Sequence, residues 1–251
     1  MDSTSLLSAL REQGEMLAAT PVVALSEPVP TVPGWTVEHV VRHTGKVHQW
    51  VLAALQTPAD APLSDVVRLG DMPRGPECVA AYRRAFDSLV DTFARLDPEH
   101  PAPTMVGPGT AFWWLRRQTH EVSVHRIDVS DTLRAAGGPS VPELDPEIAA
   151  DGVDEWAHIF LDLLARDGRL PESLHGRTIH LHGTDTGSAE WHLAFEPDGV
   201  TVTREHRKGD VALRGRAQDL LLTMWRRRPL ERLDVVGDET VARDLREAAA
   251  L

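Results

Sequence analysis

Apolar positions recur at three- and four-residue spacing through the first half of the chain, the pattern of helices that bury one face. Leu6, Leu7, Leu10 and Leu17 predict a first helix over about Ser3–Ala24, ended by the Pro-rich run Glu27–Gly34. Thr36 can cap a second helix running through His39, His43, Val47, Trp50 and Leu55. A third is expected from about Glu77 to Leu96, with Val79, Tyr82, Phe86, Leu89, Val90 and Phe93 on one side. After the turn-rich stretch Asp97–Gly109, a fourth covers roughly Thr110–Ala136. The stretch Pro58–Pro76 reads as an irregular crossing loop, unusually long and so a candidate functional loop. Four helices with one long crossover predict a bundle.

A further helix over about Asp145–Arg166 carries Ile148, Val153, Trp156, Ile159, Phe160 and Leu163. Beyond it the period changes from helical to alternating. Residues 178–182, 190–195 and 199–203 read as strands, with a hairpin around Gly183–Ser188 and a second turn at Pro197–Gly199. A short strand at Val211–Arg214, a helix at Ala217–Arg227, a strand at Leu233–Val236 and a last helix from Asp238 complete the chain. The predicted class is α+β, with a helical bundle over residues 1–170 and a small α/β domain over 171–251. No repeat or low-complexity tail interrupts this order.

Length and charge narrow the functional classes. The 251 residues suffice for one large domain or two ordinary ones. A formal net charge of −12 argues against a nucleic-acid partner, which calls for surplus Lys and Arg, but leaves room for a local basic pocket. No stretch approaches the roughly 20 apolar residues that span a bilayer, so no membrane partner is expected. The start lacks the basic flank and apolar run of a signal peptide. The single cysteine, Cys78, permits no internal disulfide and reads as a structural thiol, as expected for a cytoplasmic protein.

The densest chemistry lies at residues 117–128, Arg-Gln-Thr-His-Glu-Val-Ser-Val-His-Arg-Ile-Asp. On a helix Glu121 and His125 lie one turn apart on one face, and Asp128 continues it. Carboxylate and imidazole so placed can reach one cation, although a surface i,i+4 pair would have the same spacing. The second helix adds His39, His43 and His48. Of these, His43 shares a side with Val40, Val47 and Trp50 and is expected to face the interior, whereas His48 is expected to be rotated away. His120-Glu121 does not begin a zincin motif, because the next histidine falls one position late. No phosphate loop and no hydrolase nucleophile elbow occurs.

These residues carry a resemblance. Residues 33–45, Pro-Gly-Trp-Thr-Val-Glu-His-Val-Val-Arg-His-Thr-Gly, taken with Glu121-x-x-x-His125-Arg-x-Asp128, resemble the mycothiol-dependent maleylpyruvate isomerase family of DinB-like metal-binding bundles. The likeness continues through residues 149–155, His182-Gly-Thr-Asp185, Glu190-Trp191, residues 220–225 and Gly237-Asp238, and so covers nearly the whole chain. It implies that His43, Glu121 and His125 hold zinc or another divalent metal. It also implies a C-terminal domain similar to sterol-carrier-type folds.

Three protein ligands leave a fourth position free, as in a catalytic zinc site, and a thiol bound there is deprotonated. The resemblance therefore implies mycothiol as cofactor or co-substrate, and a small electrophile as the second partner. The reaction would be cis–trans isomerisation or S-transfer. Asp128 is the candidate to orient a ligand imidazole; a charge pair with neighbouring arginines or a solvated carboxylate is the alternative. The family has an arginine just after Trp225 that serves the active site. Arg227 matches best and Arg228 is the fallback, because this chain has Arg226 where the family commonly has Gly. Such an arginine would bind a carboxylate of substrate or thiol bidentately; a solvated helix end is the alternative. Two other readings stand beside the enzyme: a non-catalytic metal- and thiol-binding protein, and a thiol-independent metal-dependent hydrolase of the same fold. Monomer and homodimer are both compatible with the sequence.

Overall fold

A computed structural model describes residues 1–67, 71–140 and 142–249. Part of the expected crossing loop, residues 68–70, therefore lies outside the described residues. The chain divides into two compact units, Met1–Pro142 and Glu143–Leu251.

The first unit is built on helices α1 (Ser3–Ala18), α2 (Val37–Ala54), α3 (Glu77–Arg95) and α4 (Ala111–Ala135). Each of α1 and α2 packs on both α3 and α4. Leu6, Leu10, Val40, Val51, Tyr82, Phe86, Leu89, Trp114 and Val122 form its core. The predicted α2, α3 and α4 end within about a residue of their expected limits. The first helix stops early, at Ala18, and a single turn at Val22–Ala24 follows. Within the stretch expected as turns, β1 (Pro101–Thr104) and β2 (Gly107–Thr110) pair as a short antiparallel hairpin leading into α4. Helix α4 is buried almost all round and so lacks a clear polar face. Arg117, Gln118, His120, His125, Arg126 and Asp128 are all in its buried set. So many buried polar groups on one helix need partners or a ligand.

The second unit contains α5 (Pro146–Glu155), one wider turn at Trp156–Phe160, and α6 (Leu161–Arg166). Strands β3 (Thr178–Gly183), β4 (Glu190–Glu196), β5 (Gly199–Thr203), β6 (Val211–Gly215) and β7 (Asp234–Gly237) form one sheet in the order β5-β4-β3-β6-β7. Among the described residues β3 and β6 are the only neighbours paired in parallel. Ile179, Leu181, Trp191, Leu193, Phe195, Val211 and Leu213 bury one sheet face, against which α7 (Ala217–Met224) and α8 (Glu239–Ala248) pack. The two predicted hairpins are present. The expected boundary near residue 170 moves, because α5 packs on α7 and α6 on β5. The helix predicted over 145–166 therefore belongs with the sheet. Among the described residues no helix is long and apolar enough to cross a membrane.

Candidate metal centre

Thr36 starts α2, and the first histidine of that helix is consumed locally. The Nδ1 atom of His39 accepts from the Thr36 backbone N–H at 3.1 Å, which completes the N-terminal cap. His43, one turn on, points to α4. Its Nε2 lies 3.0 Å from Oε1 of Glu121, and Nε2 of His125 lies 3.4 Å from the same oxygen. The three donor atoms all lie within 4.8 Å of one another. Trp35, the residue before the cap, packs 5.0 Å from the His43 ring and stacks 5.9 Å from the His125 ring, so it walls the cluster.

Two of the three donors are held from behind. Nδ1 of His125 faces Oδ2 of Asp128 at 3.0 Å, and Oδ1 of Asp128 accepts from the Thr31 hydroxyl at 2.7 Å. Asp128 is fully buried, so its carboxylate holds a proton on Nδ1 of His125 and turns Nε2 toward the cluster. Arg117, also buried, donates to Oε2 of Glu121 at 3.0 Å, which turns Oε1 toward the histidines. Burial acts to raise Glu121, but His125, His43 and Arg117 outweigh it and hold the carboxyl well below its usual range. Burial likewise opposes charge on His125, yet Glu121 and Asp128 push it up to about 9. The pocket thus favours positive charge at its centre.

The donor set fits a divalent cation. Tetrahedral zinc with bonds of 2.0–2.1 Å places its ligand atoms about 3.3 Å apart, close to the separations found here. Two imidazoles and a carboxylate also suit other borderline divalent metals. His43 keeps 39% of its side chain exposed while His125 keeps 9%, so the cluster can be reached from the His43 side.

His48 and Cys78 lie elsewhere in the bundle. The expectation that His48 is rotated away is corrected. It is fully buried, with Nδ1 2.8 Å from Oε1 of Gln118 and its ring against Tyr82 and Phe86. Because α2 packs on two helices it buries two faces, and His48 occupies the second. Cys78 is buried in the bundle core, and burial pushes its thiol up to about 11. The three arginines lie in the second unit beyond α7: the Arg227 guanidinium donates to the Trp225 carbonyl at 2.8 Å, and that of Arg228 to the Arg227 carbonyl at 3.0 Å. Sequence reasoning missed the supporting roles of Arg117 and Thr31. The i,i+4 spacing of Arg117 and Glu121 could have indicated the first. Nothing in the Pro-rich run pointed to Thr31.

A helical bundle bearing a two-histidine, one-carboxylate cluster, continued by an α+β unit, defines the class of protein. Residues 6–130 match the family described as mycothiol maleylpyruvate isomerase N-terminal domain, and residues 147–243 match the MDMPI C-terminal domain. The chain belongs to the mycothiol maleylpyruvate isomerase family. A crystal structure of the mycothiol-dependent maleylpyruvate isomerase shares the fold at 13% identity and a TM-score of 0.60. A histidine-to-alanine variant of that protein does so at 12% and 0.61. In both comparisons 94% of this chain and 93% of the other are covered. No curated protein matches the sequence.

Proposed function

We propose that this protein is a mycothiol-using enzyme that holds one divalent metal, zinc being the first candidate, in its bundle through His43, Glu121 and His125. The reaction is cis–trans isomerisation of, or thiol transfer to, a small electrophile. The observation that carries the reading is the convergence of three donors from two helices, two of them aimed by buried partners. A metal bound there supplies the positive charge that keeps a neighbouring thiol ionised at neutral pH. The chain's own residues do the rest. Asp128 retains the proton on Nδ1 of His125, Arg117 keeps Glu121 ionised and oriented, and Trp35 shields the two imidazoles from water on one side. Arg227, with Arg228 as fallback, is proposed to bind an anionic group of substrate or thiol. The backbone at Arg226 supports this register, since it has the positive φ of +61° that suits the family's Gly.

The test is calorimetric titration of metal-loaded protein with mycothiol, followed by a screen of electrophiles that includes maleylpyruvate. His43→Ala or His125→Ala should each remove the bundle metal and abolish mycothiol binding. Glu121→Gln should weaken metal binding less, because an amide oxygen still coordinates. Arg227→Ala should leave metal content intact and lower kcat/KM about ten- to a hundredfold, the loss of a charge-assisted contact of roughly 1.5–3 kcal/mol. Mycothiol binding that survives loss of both histidines would overturn the reading.

A further inference from the structure

The second unit carries another convergent donor set, on the sheet face opposite its core. His180 and His182 are two apart on β3 and therefore point the same way, away from the buried Ile179 and Leu181. On β4, Glu190 pairs directly with His182 in the register, and His180 is its diagonal neighbour. His206 lies three residues beyond the end of β5 and returns over the same face. The three rings stand nearly edge to face, with centroids 4.9–5.7 Å apart and interplanar angles of 73–86°. All three surround one carboxylate. Oε1 of Glu190 lies 2.6 Å from Nδ1 of His182 and 3.0 Å from Nδ1 of His206, while Oε2 meets Nε2 of His180.

Hydrogen bonds to Glu190 account for His180 and His206 but not for His182. The buried Nδ1 of His182 has no hydrogen-bond partner of proper geometry although the carboxylate oxygen is near, so its lone pair or proton is directed off that line. A single carboxylate, 24% exposed, is thus shared by three imidazoles, a set of donor atoms suited to a cation. One donor atom from each of the four residues lies within 4.8 Å of the others, within a few tenths of an ångström to about 1.5 Å of the roughly 3.3 Å edge of a tetrahedral zinc site.

We infer that His180, His182, Glu190 and His206 form a second binding site for a divalent transition metal, separate from the bundle cluster. Nitrogen-rich donors with one carboxylate select borderline cations such as zinc, nickel or cobalt over calcium or magnesium. Four protein donors fill a tetrahedral shell, so the site is structural in kind, whereas the bundle offers three. Its mechanical effect is to tie the segment 204–208 to β3 and β4 through His206, whose side chain is otherwise 75% exposed.

The test uses full-length protein carrying His43→Ala and His125→Ala, loaded with zinc chloride, desalted and analysed for metal. About one zinc per chain should remain. Adding Glu190→Gln and His206→Ala should remove it without changing the circular dichroism spectrum in chelator. In wild-type background, the Glu190→Gln/His206→Ala pair should lower zinc content by about one per chain whether or not the bundle binds metal, which keeps the two sites distinguishable. A readout besides metal content is trypsin cleavage after Arg207 and Lys208, which zinc should slow about tenfold in the His43→Ala/His125→Ala protein. Absence of bound zinc in that protein, its persistence after loss of Glu190 and His206, or cleavage rates indifferent to zinc would each overturn the inference.

Discussion

Arg226 has φ of +61°, the only positive value at a non-glycine residue among the described residues. It follows Trp225 at the end of α7, where the Arg227 N–H bonds the Leu222 carbonyl and the Arg226 N–H bonds the Thr223 carbonyl. That pair of bonds is the Schellman termination, whose left-handed position favours Gly. A side chain there costs about 1–2 kcal/mol, partly offset by the greater chain entropy that Gly loses on folding. Arg226→Gly should therefore raise stability by up to about 1 kcal/mol and Tm by about 2–4 °C. A fall in Tm would show that the arginine side chain has contacts worth more than the strain.

His48 makes a second prediction at this scale. Burial pushes it down to about 4, with Gln118 and Glu121 acting the other way and His43 adding to the depression; Tyr82 and Phe86 close it from α3. The unfolded chain binds a proton near 6.5 and the folded chain does not until about 4, so the unfolded state holds more protons between these values. Stability from this residue is thus complete above pH 6.5 and is lost as pH falls toward 4, by about 3 kcal/mol in total. In chelator, the urea stability of wild type should drop more steeply over that window than that of His48→Gln. Parallel pH profiles would refute a buried neutral imidazole.

Among the elements, the contact of α1 with α3 is set by a missing side chain. A Cβ built on Gly14 would lie 2.1 Å from Cε2 of Phe86, a ring that is itself buried and stacked on Tyr82 at 5.9 Å. On helix propensity alone Gly14→Ala would stabilise by about 1 kcal/mol. Overpacking of about 1–3 kcal/mol opposes it and should win, because the ring has no free side to move into. Chemical denaturation should show a net loss for Gly14→Ala, largely recovered when Phe86→Leu is added; a gain would mean the helices part cheaply.

The same elements show what the sequence made legible. Glu121 and His125 were readable because a helix fixes i,i+4 neighbours, and His43 because it shares a side with Val47. His48 escapes a one-face periodicity because α2 packs on two partners. The strands at 178–182 and 190–195 were evident from alternation. The meeting of His180 and His182 with Glu190 depends on strand register, however, and that of His206 on a loop path, neither of which a local period encodes. Thr31 reaches Asp128 across 97 positions of chain, for the same reason out of sight.

For the whole molecule, the position of the division decides which pieces can fold. A cut near residue 170 would separate α5 and α6 from α7 and β5, the elements they pack on. The helices before that cut bury Val153, Trp156, Leu161 and Leu164 almost completely. Losing a set of this size exposes several large apolar side chains, each worth about 1.5–3 kcal/mol when buried, against a typical domain stability of about 5–15 kcal/mol. We therefore expect residues 143–251 to fold as an isolated fragment and residues 171–251 not to. Residues 1–142 should retain helical circular dichroism and a cooperative melt, since their core draws on α1–α4. Fragment 1–170 should aggregate more readily than 1–142, because its extra helices carry apolar surface without their partners. Cooperative unfolding of 171–251 at a Tm equal to that of 143–251 would restore the boundary expected near residue 170.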